Sequence, residues 1–406
     1  MKTTNPPVKR SSALDAQRLA ILRILYTTQI SRVKLGKTLS LRLATITRIV
    51  RQLIQEELVL ESKKKESSNK RGRKEVFLTL NPEGKFFLGC ELSPQKIQIL
   101  ILNLTGEILF QESYPIHTKK NDAIVRQIAD TVQYRTKLAH IPWDKIAGMG
   151  FVDPGVVDDT QGISIASSIF PEWRNVPVKK DLQQLLSIPV ELIETSQAKA
   201  LAEALFGNGK ERESFAFIEY TEGIACGIVN EKQLLRGASA QAGELGHFQF
   251  PERNDPCKCG KIGCLEAISS IHAIEKRANV QMHNNHHTEQ SFSFEQILEK
   301  ADKGDQELNF IINEAILYLA CAIANLIALL DPRLLILDRN FLSFGPQRYD
   351  ALIQKIQKHL LHPESISIEL SVFGEEIGSL GGAGLLLKGF FEEKNIPYPA
   401  RTKRGV

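Results

Sequence analysis

Gly243-Glu-Leu-Gly-His247 and, ten residues on, Cys257-Lys-Cys259-Gly-Lys-Ile-Gly-Cys264-Leu-Glu266 form the most informative stretch of this 406-residue sequence. Three thiols fall within eight residues, and Gly260 and Gly263 let the chain turn tightly between them. Sulfur donors at this spacing suit zinc, which closes structural sites with four tetrahedral ligands at roughly 2.0–2.3 Å. His247 is the natural fourth ligand, and His272, on the helix expected after Cys264, is the runner-up. The alternative is a set of packing cysteines beside an unrelated histidine, but C-x-C with a third thiol and two glycines is unusual packing chemistry. Four protein ligands leave no open position, so a structural rather than a catalytic ion is expected. His283, His286 and His287 form a second group in a polar stretch with Asn284 and Asn285, which reads as a solvated loop.

Around this stretch the pattern is that of an α/β body. Phe86–Leu92, Ile97–Leu104 and Glu107–Pro115 alternate like hairpin strands, followed by a helix over Asp122–Leu138, a strand over Lys145–Val152, a helix near Val178–Leu186 and a strand over Val190–Ile193. A similar series restarts at Ser214: three strands, several helices, a strand over Arg333–Asp338, a helix near Arg348–His359, a strand over Ser365–Val372 and a final helix over 379–391. Two copies of one pattern predict a duplicated, two-lobed body with a cleft between the lobes.

The N-terminal part is different in charge and in period. Residues 1–80 hold 18 lysines and arginines against six acids, a net +12, whereas the remainder is −8. A basic head on an acidic body points to a polyanion partner for the head. Helices are expected over Ala13–Tyr26, over Arg32–Thr38 with Ser31 as N-cap, and over Leu43–Glu56, where Ile46, Ile49, Val50, Leu53 and Ile54 make the buried stripe. Strands over Leu58–Ser62 and Glu75–Leu80 flank a loop rich in lysine and arginine. Three helices and a basic hairpin predict a winged helix-turn-helix. Its third helix would offer Ala44, Thr45, Thr47, Arg48 and Arg51 to base edges of double-stranded DNA, and its wing would bring Arg71, Arg73 and Lys74 to phosphates or a minor groove. The competing readings are a helical protein-binding module and a solvated turn.

Composition excludes several classes. With 43% hydrophobic and 24% charged residues the chain is neither collagen-like nor disordered, and six cysteines do not make a disulfide scaffold. Met1–Ser12 is polar, so no secretory signal is expected. The apolar run Ala315–Leu330 is too short to span a bilayer and reads as a core helix, so a cytoplasmic protein without a membrane partner is expected.

The winged head, the GELGH segment and CKCGKIGCLE together resemble the ROK family of repressors, open reading frames and kinases, over nearly the whole chain. The resemblance implies a duplicated actin-like, sugar-kinase (ribonuclease H-like) body behind the winged helix-turn-helix, with domains over 1–82, 83–195 and 196–406. The final helix would pack back on the first lobe. It implies zinc held by His247, Cys257, Cys259 and Cys264, and sugar-hydroxyl contacts at Glu244, His247 and Glu266. Glu244 and Glu266 are equally readable as supports of the zinc loop. A winged head is typical of the family's repressor branch, which controls sugar-uptake and sugar-use genes and answers to a sugar, a sugar phosphate or a transport protein. A homodimer or tetramer on operator DNA is expected, because one head has too small a footprint for genomic specificity. Coupling from cleft to head is expected to run through the zinc loop.

Against the family's kinase machinery the sequence departs at each part. The first phosphate loop, like DxGGT in the family, matches Glu91-Leu-Ser-Pro94-Gln95. The second matches Glu222-Gly-Ile-Ala-Cys-Gly-Ile228, where Glu222 would repel phosphate. Asp338-Arg339 replaces a Gly-Gly, Ile169 replaces a sugar-binding asparagine, and Glu194-Thr195 replaces the Asn-Asp pair. Thr195 thus stands where the catalytic aspartate belongs, and threonine cannot serve as a base near neutral pH. No kinase activity is expected. The alternatives are a ROK sugar kinase with an auxiliary DNA-binding head, and a metal-responsive switch with zinc as its signal.

Overall fold

Apolar residues at helical spacing build the N-terminal unit. The computed structural model describes residues 13–63, 76–167, 170, 172–286 and 290–392. It places α1 at Ala13–Thr27, β1 at Ile30–Ser31, α2 at Arg32–Thr38, α3 at Leu43–Gln55, β2 at Val59–Lys63 and β3 at Val76–Leu80. The Ser31 hydroxyl accepts from the Lys34 N–H at 3.5 Å and so caps α2. Ile46, Ile49, Val50 and Leu53 of α3 are fully buried in one cluster with Ile21, Leu22 and Leu25 of α1. Ile54 lies at the edge of that cluster. The three strands pair antiparallel in the order β1-β3-β2. Two-residue β1 is too short to show alternation in a sequence. Arg71, Arg73 and Lys74 lie outside the described residues, as does Ile169.

The first lobe comprises β4 (Phe86–Leu92), β5 (Lys96–Asn103), β6 (Ile108–Pro115), α4 (Asn121–Leu138) and β7 (Ile146–Asp153). It continues with β8 (Val156–Asp158), β9 (Ile163–Ala166), β10 (Arg174–Val176), α5 (Val178–Leu186) and β11 (Val190–Glu194). Helix α6 (Thr195–Phe206) leads on to β12 (Phe215–Tyr220), β13 (Ile224–Asn230) and β14 (Gln233–Leu234). Then come α7 (Leu265–Ser269), α8 (Ile271–His286), α9 (Phe294–Asp302), α10 (Gln306–Leu330), β15 (Leu334–Leu337), α11 (Pro346–His359), β16 (Ser367–Leu370) and α12 (Ile377–Phe391).

The duplication is explicit in the topology. The first sheet runs β11-β7-β4-β5-β6 and the second β14-β13-β12-β15-β16. In each, three consecutive strands pair antiparallel and two later strands add in parallel beside the first. Parallel strands need crossovers, and the helices that supply them cover the sheets. A third small sheet, β10-β9-β8, branches off after β7. Helix α10 is apolar on nearly every side because it is the core of the second lobe: Ile312, Ile316, Leu319 and Ile323 are fully buried. Each such side chain contributes roughly 1.5–3 kcal/mol of burial.

Helix α12 packs against β4, β5 and β7 of the first sheet and against α6. Its glycines make this possible. A Cβ on Gly381 would strike the Ala198 carbonyl, and one on Gly150 of β7 would strike the carbonyl of Gly382. The first turn of α12 lies beside Glu91, and its last turn reaches the head. There the Arg23 Nε donates to the Phe391 carbonyl at 2.6 Å and the Tyr26 and Phe391 rings meet at 4.8 Å. Lys145 adds an ion pair to Glu57 at 2.7 Å. The apolar cluster shared by head and body contains α12 residues but none from 243–266. The packing of head on body therefore includes the last turn of α12.

Candidate functional site

The cysteine loop folds on its own turns. Gly260 and Gly263 take φ of +89° and +75°, in the left-handed region where side chains are disfavoured. The Cys257 N–H donates to the Lys261 carbonyl at 2.8 Å, and Gln249 bridges to Cys264. This gathers His247, Cys257, Cys259 and Cys264 so that one ligand atom of each lies within 4.8 Å of the others. Cys259 Sγ and Cys264 Sγ are 3.7 Å apart, and Cys257 Sγ and His247 Nδ1 are 4.0 Å apart. A tetrahedral ion with sulfur at ~2.3 Å requires sulfur separations of ~3.8 Å, so the donor set fits zinc in both chemistry and span. Burial and the neighbouring Cys259 push the Cys264 thiol up to about 12. Such a thiol ionises when a cation takes the proton's place. His272 is exposed on α8 and is not part of the group.

His247 presents its other nitrogen to the cleft: Nε2 lies 3.7 Å from Glu244 Oε2. Burial, together with the Glu266 charge and against that of His247, raises the Glu244 pKa. Glu266, on α7, accepts from the Ile224 N–H at 3.3 Å and so ties the metal loop to the start of β13. Glu244, His247 and Glu266 thus share one wall of an interlobe cavity of about 680 Å³. The cavity opens at the C-terminal ends of β4, β7, β12 and β15, where ligands bind in sheets of this kind.

Thr195 begins α6 on the same cavity, and its hydroxyl donates to the Asp153 carbonyl at 3.0 Å. The Asp153 carboxylate turns away: it accepts from Trp173 Nε1 at 3.0 Å, Ser164 Oγ at 2.9 Å and the Gly155 N–H at 2.9 Å. Burial, only partly offset by these bonds, raises its pKa to about 6. Glu194 caps α6, accepting from Ser196 and Gln197 N–H groups. Sequence reasoning missed Lys199, which lies buried on α6 in the cavity and pairs with Glu219 and Asp338. A lysine within a helical pattern gives no local signal of burial, since its partners come from other elements.

On α3 the outward face carries Leu43, Ala44, Thr47, Arg48, Arg51 and Gln52 along one shallow groove. Ala44, Arg48 and Arg51 are exposed, and Thr45 and Thr47 partly so. Among the described residues neither arginine has an ion-pair partner.

The chain matches the sequence model of the ROK family over residues 87–389. It is 26% identical over 363 residues to a xylose repressor from Caldicellulosiruptor bescii, covering 87% of this chain and 90% of that protein. It is also 26% identical over 320 residues to a glucokinase from Halalkalibacterium halodurans, covering 74% of this chain and 95% of that one. A crystal structure of a ROK family transcriptional regulator, homologous to the E. coli MLC protein, superimposes with a TM-score of 0.77 at 27% identity, covering 93% of this chain and 96% of that one. The xylose repressor and the transcriptional regulator thus cover 87% and 93% of this chain, whereas the glucokinase leaves about a quarter of it unmatched.

Proposed function

Because the chain belongs to the ROK family, we propose that it is a DNA-binding transcriptional repressor of sugar-uptake or sugar-use genes, with a kinase-like body that senses a ligand instead of phosphorylating it. The observation that carries this reading is α3: its apolar stripe is buried while Arg48 and Arg51 stand free on the opposite, polar face. Residues 1–82 form the reading head, 83–195 the first lobe and 196–406 the second. The head works as part of a cytoplasmic dimer, which matches two half-sites of operator DNA. The groove residues Ala44, Thr45, Thr47, Arg48 and Arg51 read bases, and Arg71, Arg73 and Lys74 hold the backbone.

Zinc would be held by His247, Cys257, Cys259 and Cys264, and would there cross-link the loop that carries Glu244 and leads into Glu266. With four protein ligands it has a structural role. Glu244 and Glu266 accept hydrogen bonds from ligand hydroxyls at the mouth of the cleft, with charge strengthening those bonds. Phosphoryl transfer is absent because Thr195 offers no base, and because the first phosphate loop has lost its glycines and gained Pro94 while Glu222 in the second repels phosphate.

Anisotropy titrations of the full chain on DNA from its own upstream region test the reading, with a scrambled duplex as control. Sequence-specific binding that Arg48→Ala weakens supports it. Equal affinity for both duplexes, or sugar phosphorylation from Mg-ATP above background, overturns it.

A further inference from the structure

Lys199 leaves α6 between the two sheets with its side chain 7% exposed. Its ammonium lies 2.8 Å from Glu219 Oε1 at the end of β12 and 2.9 Å from Asp338 Oδ2 just past β15. Glu91, at the end of β4 in the other sheet, lines the same cavity, and its Oε2 is buried without a hydrogen-bond partner among the described residues. Carboxylates from both lobes therefore line one cavity around a single buried ammonium, which two of them contact. Burial alone would favour the neutral amine, but Asp338, Glu219 and Glu91 together hold Lys199 charged.

The cleft's other anion-attracting element is also filled from within. The N-terminus of α6 would attract a phosphate, but the Glu194 carboxylate already accepts from the Ser196 N–H at 2.8 Å, the Ser196 hydroxyl at 2.7 Å and the Gln197 N–H at 3.1 Å. At the mouth Lys96 is paired with Glu375. Arg174, Lys258 and Arg339 are exposed to solvent at the rim, where water screens them.

The geometry points to Lys199 as the residue that sets the charge selectivity of the cleft: a tethered cation, held by Glu219 and Asp338, that closes this half to metal ions and phosphorylated ligands and leaves the cleft to uncharged, hydroxyl-rich ones. A free divalent cation would have to displace an ammonium that cannot leave. A phosphate dianion would meet Glu91, Glu219 and Asp338 with their one counter-charge already engaged. This deepens the sensor reading of the body and rests on it for the identity of the neutral ligand class.

Calorimetric titrations of the full-length chain with Mn²⁺, glucose 6-phosphate, glucose and xylose test it through two opposite variants. Lys199→Ala strips the cation from its carboxylates and is expected to raise Mn²⁺ affinity roughly tenfold or more, a gain abolished in Lys199→Ala/Glu219→Gln/Asp338→Asn. Glu219→Gln/Asp338→Asn instead frees the ammonium and is expected to raise glucose 6-phosphate affinity by a similar factor, with the gain shrinking as salt increases. Circular dichroism establishes which variants are folded, and either one decides the matter alone. Wild-type protein that prefers glucose 6-phosphate to glucose, or a folded variant showing no gain for its ion, overturns the assignment. Should neither sugar bind while both gains appear, the sensor reading fails and Lys199 keeps its role.

Discussion

Helices α3 and α6 both carry basic side chains, and they use them in opposite ways. On α3 the apolar stripe faces inward, so Arg48 and Arg51 face water. On α6 both faces are covered, one by α12 and the other by the second sheet, so Lys199 has nowhere to go but among carboxylates. An exposed cation is kept available for a partner outside the molecule. A buried one is spent on the molecule itself. The contrast teaches that position relative to the packed layers, and not residue type, decides whether a charge recognises or organises.

The largest expected effect breaks that contrast from the inside. Lys199→Ala leaves Glu219 and Asp338 as buried, unpaired charges and should destabilise the body by about 3–5 kcal/mol in urea unfolding. Arg48→Ala, at an exposed position, should change stability by no more than about 0.5 kcal/mol. Equal losses in the two variants would remove the distinction. Cys259→Ser should release zinc, measured by elemental analysis, and lower the melting temperature of the body while the head's DNA contacts stay in place.

From the outside, Arg48→Ala should weaken specific DNA binding by roughly 1–3 kcal/mol and relax preference at one base position. Arg73→Ala, in the basic loop, should reduce the salt slope of binding by about one and leave sequence preference alone. The smallest effect is in pH. Burial raises the Glu91 and Glu194 pKa values to about 7 from 4.5. The folded state therefore holds more protons than the unfolded one between these values. Their contribution to stability is full below about 4.5 and is lost as pH rises through about 7. Melting temperatures measured from acid to mild alkali should decline over that window, and Glu91→Gln should flatten the decline.

Local signals were legible in the sequence and remote ones were not. The α3 stripe can be read because helical period reports burial directly, and Ile46, Ile49, Val50 and Leu53 are all fully buried. The cysteine loop can be read because its three thiols lie within eight residues and His247 stands ten residues before the first of them. The doubled sheet shows in the repeated order of strands. By contrast β8, β9 and β10 are three or four residues long, too short for alternation to register. Lys199 is illegible for a different reason: Glu219 and Asp338 are 20 and 139 residues away along the chain, so only the tertiary fold brings them together. The same is true of Tyr26 and Phe391, whose meeting sets the head against α12.

A helix of 15 residues is a stiff bar about 22 Å long. Seated by glycine against the first sheet, α12 has one end by the floor of the cleft and the other under the head. Should the lobes close on an occupant and tilt this bar by as little as ~5°, its far tip would swing by ~2 Å. In a dimer two such strokes add, altering the reach between reading helices against a DNA repeat of roughly 34 Å. A leverage of this kind asks for no unfolding, only that the bar not bend.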